Sequence, residues 1–287
     1  MGLQIIIKGA NFSANGYGNI SDALIIQNFI INSGITDGTL KSEISKLYYS
    51  LKTAGVLAKA DAIYPLVGNT ALSQSVNLKN PALTDAAYRI TWGNDSSGAH
   101  TNAGFIGNST ALRYGDTHYV TPLDVSSFFI GAFNSTSENA TGDHLLIAAN
   151  ANATAGNGAI VAIGRSFVSR TWSNIARQAV AVQAVTGYDR TKTGLLLLNR
   201  TSASSAILYD SGVNIAQDLV ARDCLAVGTP TRPLLIGAFS DTGASNYIKN
   251  HTDATLNFVI FGKVGLTNTE ITQLNTIVTT FNSAIGR

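Results

Sequence analysis

The sequence of 287 residues contains a single cysteine, Cys224, and charged residues make up only 13% of it. One cysteine excludes an intrachain disulfide framework, and it also excludes a structural zinc site built from several cysteines. Its apolar neighbours Leu225 and Val227 indicate that Cys224 is a small buried hydrophobic residue. The net charge of +2 and the isoelectric point near 8.6 give no indication of a nucleic-acid-binding surface.

Long hydrophobic runs are also missing. No stretch of roughly 18 apolar residues is present, so the sequence predicts no membrane-spanning helix. The first residues, MGLQIIIKGANFS, lack a basic n-region followed by a long apolar h-region. We therefore do not expect a signal peptide there.

Glutamate is scarce, and this bears on catalysis. The only glutamates are Glu43, Glu138 and Glu270, whereas glycoside hydrolysis needs two carboxyl groups that flank the scissile bond. No E-x-D-x-E or E-x-D-x-x-E motif is present. The 14 aspartates leave an inverting pair of aspartates open as an alternative. On balance the sequence predicts a protein that is not an enzyme.

Other catalytic and cofactor motifs are absent as well. There is no G-x-S-x-G and no H-E-x-x-H, and the Gly-rich stretch GNGAIVAIG does not lead into a phosphate-binding helix. We interpret the four histidines, at positions 100, 118, 144 and 251, as solvated or structural residues. We expect no cofactor, with calcium as an open alternative, because Asn94 with Asp95, or Asp241 with Asn246, could supply loop oxygens.

The N-terminal part, residues 1–60, is predicted to be an arm followed by two helices. Ser21 is a candidate N-cap for a first helix that ends at Gly34. Thr36 or Asp37 opens a second helix, which ends at Gly55 and has apolar residues recurring at helical spacing. We interpret this region as an anchor for partner proteins or sister subunits.

In residues 61–287 the spacing of apolar residues changes to a period of two. Short apolar runs separated by Gly, Asn, Asp or Pro follow one another, and no long helix lies between them; this pattern is typical of an antiparallel β-sandwich. Two similar runs, FFIGAF and LLIGAF, are each predicted to be a buried strand whose glycine allows close approach of backbones. The runs are AIYPLVG, DAAYRITW, ALRYG, SSFFIGAF, DHLLIAAN, GAIVAIG, GLLLLNR, SSAILYD, RPLLIGAF and TLNFVIFG.

The chain closes with a predicted helix. Thr267 and Glu270 have the spacing of a capping box, and an apolar stripe including Ile271, Leu274 and Val278 follows. A stripe of this width needs a surface to cover, and the preceding strand belongs to a sheet that offers one. We therefore expect this helix to pack against the sandwich.

Candidate glycan contacts come from two tryptophans with polar neighbours. Trp92 is followed by Asn94 and Asp95, and Trp172 is followed by Asn174. An aromatic ring beside amide and carboxylate groups suits a sugar. The alternative for Trp92 is a place in the core, because it ends an apolar run.

Several stretches resemble known proteins. The closing F-G-x-V-G-L-T-x-x-E-I-x-x-L is similar to the end of concanavalin A-like (laminin G-like) jelly-roll domains. The stretches AIYPLVG, NLKNP…DAAYR, L-x-x-R-T-S…LY-x-x-G and the final F-x-x-A-I-G-R resemble phage virion proteins, namely tail or head fibres or spikes, that carry this domain. About 99–190 shows no motif that can be carried over.

The resemblance implies a mainly β, concanavalin A-like jelly roll at the virion surface, with other virion proteins as partners and a homo-oligomer, most readily a trimer. It implies a spike, fibre or decoration subunit that attaches to a host-surface glycan. Two alternatives remain: a purely architectural capsid component, and a bacterial carbohydrate-binding module or glycoside hydrolase.

Overall fold

The computed structural model describes residues 20–94, 98–120, 127–138, 143–150, 160–166, 170–175, 181–183, 191–202, 204–219, 233–241, 247–249 and 251–287. Within these ranges most of the chain is extended. The helices are α1 Ile20–Asn32, α2 Gly38–Thr53, α3 Val56–Lys59, α4 Ala71–Ser75 and α5 Asn268–Ala284, with a 3₁₀ turn at Asp85–Ala87.

The strands form two large sheets and one hairpin. They are β1 Ala62–Tyr64, β2 Thr91–Gly93, β3 His100–Thr101, β4 Gly104–Ile106, β5 Tyr114–Asp116, β6 Phe128–Asn134, β7 Asp143–Asn150, β8 Ile160–Ser166, β9 Arg170–Ile175, β10 Ala181–Gln183, β11 Gly194–Ser202, β12 Ser205–Asp210, β13 Val213–Asp218, β14 Leu235–Ile236, β15 Phe239–Asp241, β16 Tyr247–Lys249 and β17 Thr255–Gly262.

Every paired strand is antiparallel to its neighbour. Sheet I has the order β13-β12-β11-β6-β17-β4-β3, with β1 also paired to β17; sheet II has the order β10-β9-β8-β7-β14-β5-β2. The third unit is the β15–β16 hairpin. The predicted fold class, a mainly β antiparallel sandwich of the lectin-like jelly-roll type with helices at its N-terminal side and a C-terminal helix, is confirmed.

Sheet I is buried on both faces, and β11 shows why. Its run GLLLLN sends Leu196 and Leu198 into the core between the two sheets, while Leu195 and Leu197 pack under the helices. Strand β17 is likewise buried along its whole length. These strands therefore have continuous apolar sequences, as expected for strands covered on both sides.

The helices form a third layer on sheet I. Ile44 and Leu51 of α2 and Leu274 and Val278 of α5 share one apolar cluster with Ile260 of the sheet. The expected packing of the closing helix on the sandwich is thus confirmed. The division of the chain at residues 60 and 61 stays a prediction.

Most predicted helix signals agree with the structure. Asp37 caps α2 by accepting from the Leu40 amide, and the Thr267–Glu270 capping box is formed at α5. Gly34 and Gly55 follow helices α1 and α2 with φ of +67° and +77°, which is the left-handed conformation that favours glycine after a helix. The prediction for Ser21 was wrong, because α1 already begins at Ile20.

Two predicted strands are shorter than their apolar runs. In DAAYRITW, Asp85–Ala87 forms a 3₁₀ turn and Tyr88 has φ +59°, so the strand begins only at Thr91. In LLIGAF, Gly237 has φ +74° and ends β14 at Ile236, whereas FFIGAF is one continuous strand. The two similar runs therefore do not share one conformation.

Sheet II is packed on one face against sheet I and only partly covered on the other. The β15–β16 hairpin covers part of the outer face, where Phe239 packs on Leu145 and Ala148 of β7 and on Ala162 of β8. Beyond this hairpin, the β5–β2 end of sheet II carries half-exposed side chains on its outer face. Among the described residues, no helix is long and apolar enough to cross a lipid bilayer.

Candidate functional site

Trp92, the first predicted glycan contact, lies on β2 and points inward. Its ring stacks on Phe105 with centroids 4.5 Å apart and lies 4.7 Å from the ring of His100. The indole Nε1–H donates to the carbonyl of Ala71 over 2.9 Å. These contacts fit the core alternative for Trp92, which is half-buried against the core between the sheets, and its predicted role in glycan binding stays a prediction.

The polar neighbours of Trp92 are only partly described. Asn94 is exposed, has φ +52°, and donates through Nδ2 to the carbonyl of Leu112 over 2.9 Å. Asp95 lies outside the described residues, as does Asn246, and the side chain of Asp241 is not described. The two calcium candidates therefore stay predictions.

Trp172 and Asn174 lie on β9, where Trp172 pairs with Gly164 and Asn174 with Ala162; their side chains fall outside the described part. Strands β9 and β2 belong to the same sheet but are separated by β8, β7, β14 and β5. At about 4.8 Å per strand, Trp92 and Trp172 are about 24 Å apart. The two tryptophans thus do not build one site.

A different aromatic residue, Tyr114 of β5, faces outward. From Arg113 to Tyr119 the side chains alternate between buried and half-exposed, and the half-exposed set is Tyr114, Asp116 and His118. Tyr119 belongs to the core between the sheets. Because side chains alternate across a strand, Tyr114 and Asp116 lie on the opposite, outer face of sheet II, and His118, which follows β5 with φ +56°, joins them through its contact with Thr91.

Strand β2 completes this surface. Gly93 pairs with Tyr114 and Thr91 pairs with Asp116. The Tyr114 ring lies directly over Gly93, since an ideal Cβ at that glycine would be only 2.0 Å from Cζ of Tyr114. Gly93 therefore allows the phenol ring to lie flat on the sheet.

Polar contacts hold the other end of this surface. His118 Nε2 lies 2.8 Å from the Thr91 hydroxyl and 3.5 Å from Oδ1 of Asp85, and the His118 amide donates to Asp116 over 2.8 Å. Nη2 of Arg89 lies 3.9 Å from the same Asp85 oxygen. We call Tyr114, Thr91, Asp116 and His118, with Asp85 and Arg89 at one end, the outer-face patch.

The outer-face patch combines a flat aromatic ring with hydroxyl, carboxylate, imidazole and guanidinium groups. An aromatic face offers contact to the C–H face of a sugar ring, and the polar groups include donors and acceptors for its hydroxyls. Sequence reasoning missed this patch. The available signal was the alternation in RYGDTHY, which places Tyr, Asp and His on one face.

A second cluster is buried. Glu138, in the segment after β6, accepts from the hydroxyl of Thr252 and from the amides of Asp253 and Ala254, each amide at 3.1 Å. His144 Nδ1 lies 3.7 Å from Oε2 of Glu138. Burial raises the pKa of Glu138, and the two amides and His144 oppose that rise.

Each of the three glutamates is engaged in ion pairs or hydrogen bonds within the fold. Glu43 pairs with Lys46 at 2.6 Å on α2, and Glu270 pairs with Lys59 at 2.6 Å while it caps α5. Glu138 is occupied as described above. Each glutamate therefore has a structural partner.

A groove of about 430 Å³ runs between α2 and α5, on the far side of the molecule from sheet II. Its lining is rich in hydroxyl groups and includes Tyr49, Thr53, Thr272 and Thr276. The Tyr49 ring is held edge-on to the Tyr48 ring at 5.7 Å. This groove is the rival to the outer-face patch as a place for a ligand.

Comparisons with known proteins bear on the fold. No family model matches the chain, and the search of curated proteins gives no match either. One similar structure is a mutant of Trypanosoma rangeli sialidase displaying trans-sialidase activity. The match covers 85% of this chain and 39% of the sialidase chain, with 11% sequence identity and a TM-score of 0.54. T. rangeli sialidase in complex with sialic acid matches 76% of this chain and 32% of its own, with 13% identity and a TM-score of 0.50.

A smaller protein is similar over less of the chain. The Ruminococcus gnavus IT-sialidase CBM40 bound to α2,3-sialyllactose matches 53% of this chain and 84% of its own, with 10% identity and a TM-score of 0.44, which is too low to carry an argument. The chain spans about a third to two fifths of the length of the two sialidases. At these identities the likeness shows the β-sandwich fold alone.

Proposed function

We propose that this protein is a non-enzymatic glycan-binding sandwich and that the outer-face patch is its binding surface. The observation that carries the proposal is the Tyr114 ring lying over Gly93, with Thr91, Asp116 and His118 beside it on the same face. A flat ring on a sheet is a platform that needs no rearrangement before a sugar stacks on it. Preorganisation of this kind reduces the entropy lost on binding.

The dimensions of the patch favour an oligosaccharide over a single sugar ring. Tyr114 and Asp116 are two residues apart on β5, about 7 Å along the strand, and His118 extends the patch beyond the end of β5. A glycan that stacks on Tyr114 would continue past Asp116 and Thr91 towards His118 and Arg89. The polar groups along that line would set which sugars fit.

Sialylated glycans are the first ligands to test. The similar T. rangeli structure is of a sialidase in complex with sialic acid, and the outer-face patch ends at a guanidinium. The distance of 3.9 Å between Nη2 of Arg89 and Oδ1 of Asp85 is at the limit for an ion pair. Arg89 could therefore turn to a ligand carboxylate, which guanidinium binds well.

The absence of catalysis is part of the same proposal. The three glutamates, which lie among the described residues, are engaged with Lys46, with Lys59 or with the Thr252–Ala254 segment. A glycosidase needs one carboxyl acid and one free carboxylate about 5 to 9.5 Å apart across a substrate. The structural roles of the glutamates support binding without hydrolysis.

We further propose that the protein acts at a virion surface, where it attaches to host glycans as a homo-oligomer, most readily a trimer, beside other virion proteins. The support is the sequence resemblance to phage fibres and spikes, together with the open face of sheet II. Purified protein should then bind host cells and compete with virus adsorption. A folded sample that does neither would favour the architectural alternative.

The glycan proposal is tested with an array of sialylated and neutral oligosaccharides. Wild-type protein should bind a defined subset, and Tyr114→Ala should lower that affinity at least tenfold because the stacking platform is lost. Gly93→Ala should also lower the affinity for the glycan, because the added Cβ would displace the Tyr114 ring from its place over the sheet.

Tyr49→Ala is the matched control, because it removes a tyrosine from the α2–α5 groove and leaves sheet II unchanged. It should bind the array like wild type. Loss of binding in Tyr49→Ala with full binding in Tyr114→Ala would move the site to the groove. Absence of binding to every glycan by the folded protein would contradict the proposal.

A further inference from the structure

Three chain segments bring metal-ligating side chains together at the edge of the hairpin. Glu138 follows β6, His144 is on β7, and Asp253 lies two residues before β17. One ligand atom from each of the three lies within 4.8 Å of the other two. Glu138 is 2% exposed and His144 is 6% exposed, while Asp253 is half-buried, so the cluster opens to solvent on the Asp253 side.

The two carboxylates are oriented by donors that favour the ionised form. Glu138 receives the Thr252 hydroxyl and two backbone amides. Asp253 receives the amide and the hydroxyl of Ser109, at 2.6 and 3.0 Å. Two adjacent carboxylates in a sheltered place repel one another, and a cation between them removes that cost.

His144 supplies the third observation. Its Nδ1 faces the carbonyl of His251 and donates to it. Among the described residues no hydrogen bond is formed by Nε2, although the ring as a whole is nine-tenths buried. Nδ1 is also the nitrogen that lies 3.7 Å from Glu138, so metal binding at this cluster requires the imidazole either to release the His251 carbonyl or to turn its Nε2 towards the carboxylates.

We propose that Glu138, His144 and Asp253 bind one divalent first-row metal ion, with Zn²⁺ as the first choice. One imidazole and two carboxylates match the nitrogen and oxygen ligands of zinc, and water would fill the remaining position. Calcium is disfavoured because its ligands are oxygen atoms. Neighbouring ligand atoms held 2.0–2.2 Å from one tetrahedral zinc ion lie about 3.3–3.6 Å apart, so the three side chains need to close by up to about 1.5 Å.

The metal would fix the segment His251–Ala254, which runs between β16 and β17. His251 Nδ1 lies 2.9 Å from the carbonyl of Arg113, and its ring lies 6.3 Å from that of Tyr114. The segment therefore touches the strand that carries the outer-face patch. The metal site does not depend on glycan binding, because its ligands are not members of that patch.

The test uses the full chain after treatment with a chelator, titrated calorimetrically with ZnCl₂, MnCl₂ or CaCl₂ alone. Wild type should take up one Zn²⁺ per chain, with weaker Mn²⁺ binding, and its melting temperature should rise with Zn²⁺ concentration. Asp253→Asn and His144→Gln should each weaken Zn²⁺ binding at least tenfold and remove the Zn²⁺-dependent rise in melting temperature.

Glu43→Gln is the matched control, since it removes a carboxylate on α2 that pairs only with Lys46, and it should bind Zn²⁺ like wild type. Asp253 is the less buried ligand, so Asp253→Asn decides the outcome if His144→Gln fails to fold. No Zn²⁺ uptake by wild type would overturn the proposal and leave a plain Glu138–His144 pair. Uptake that Asp253→Asn does not weaken would show adventitious binding elsewhere and would overturn it equally.

Discussion

Glu270 shows how one side chain can serve two elements. It caps α5 by accepting from the Thr267 amide, and it also receives Lys59 Nζ at 2.6 Å from the end of α3. Burial acts to raise the pKa of Glu270, but the Lys59 and Thr267 hydrogen bonds outweigh burial and lower it below its usual value of 4.5. The ionised form is thus favoured in the folded protein.

This pKa shift predicts a dependence of stability on pH. Because the folded-state pKa is below the unfolded one, the stabilisation from Glu270 is fully present above about pH 4.5 and is lost as the pH falls through the folded value. Glu270→Gln should therefore lower the free energy of unfolding by about 1 kcal/mol at neutral pH, and the deficit should shrink below pH 4.5. Urea unfolding of both proteins between pH 3 and 7 measures this.

Thr267→Ala is the comparison variant, because it removes the capping hydroxyl and keeps the carboxylate. It should cost about 1 kcal/mol, with a weaker pH dependence than Glu270→Gln. A Glu270→Gln deficit that stays constant down to pH 3 would contradict the account of this residue.

For single residues, the sequence predicted contacts between near neighbours in the chain well, and contacts between residues far apart in the chain poorly. Thr267 and Glu270 are three residues apart, so their spacing alone predicted the cap. Tyr114 and Gly93 are 21 positions apart in the sequence, and their contact depends on the register of β2 against β5. No local spacing encodes such a register.

Helices were the best predicted elements, and the reason is physical. Their ends are set by residues such as Asp37, Gly34 and Gly55, whose interactions reach no further than one helical turn along the chain. Ser21 failed as a cap because α1 extends one residue before it. Strand existence was predicted wherever an apolar run was long, as in β6, β11 and β17.

Short strands were predicted less accurately. Gly131 sits within β6, where an added Cβ would meet Leu197 at 3.2 Å, whereas Gly237 in a nearly identical hexapeptide turns the chain with φ +74°. Glycine permits both conformations, so surrounding packing decides between them. The predicted run ALRYG overlaps β5 at Tyr114 and Gly115 but stops before Asp116, the second strand residue of the outer-face patch.

The whole molecule has a helix layer, a middle sheet and an outer sheet. Because α2 and α5 cover one face of sheet I, and sheet II covers the other, its central strands β6, β11 and β17 are buried on both faces. Among the described residues, the β15–β16 hairpin covers the outer face of sheet II near β7 and β8 and leaves Tyr114, Asp116 and His118 half-exposed. The proposed binding surface therefore lies on sheet II.

Composition predicted this architecture in outline. Apolar runs such as GLLLLNR predicted the strands of a sandwich, and the apolar stripe of α5 predicted that a helix would pack on it. That β11 is covered on both faces emerged only from the structure. Which end of sheet II stays open depends on the position of the hairpin. That position follows from tertiary packing of Phe239, which the sequence does not reveal.

The most direct measurement of the central claim is hydrogen–deuterium exchange of the full chain with and without the glycan that binds it best on the array. The account predicts slower exchange in peptides that cover residues 89–94 and 113–119, with no change in α2 or α5. Protection confined to residues 49–54 and 272–277, or no protection by a glycan that binds, would contradict it.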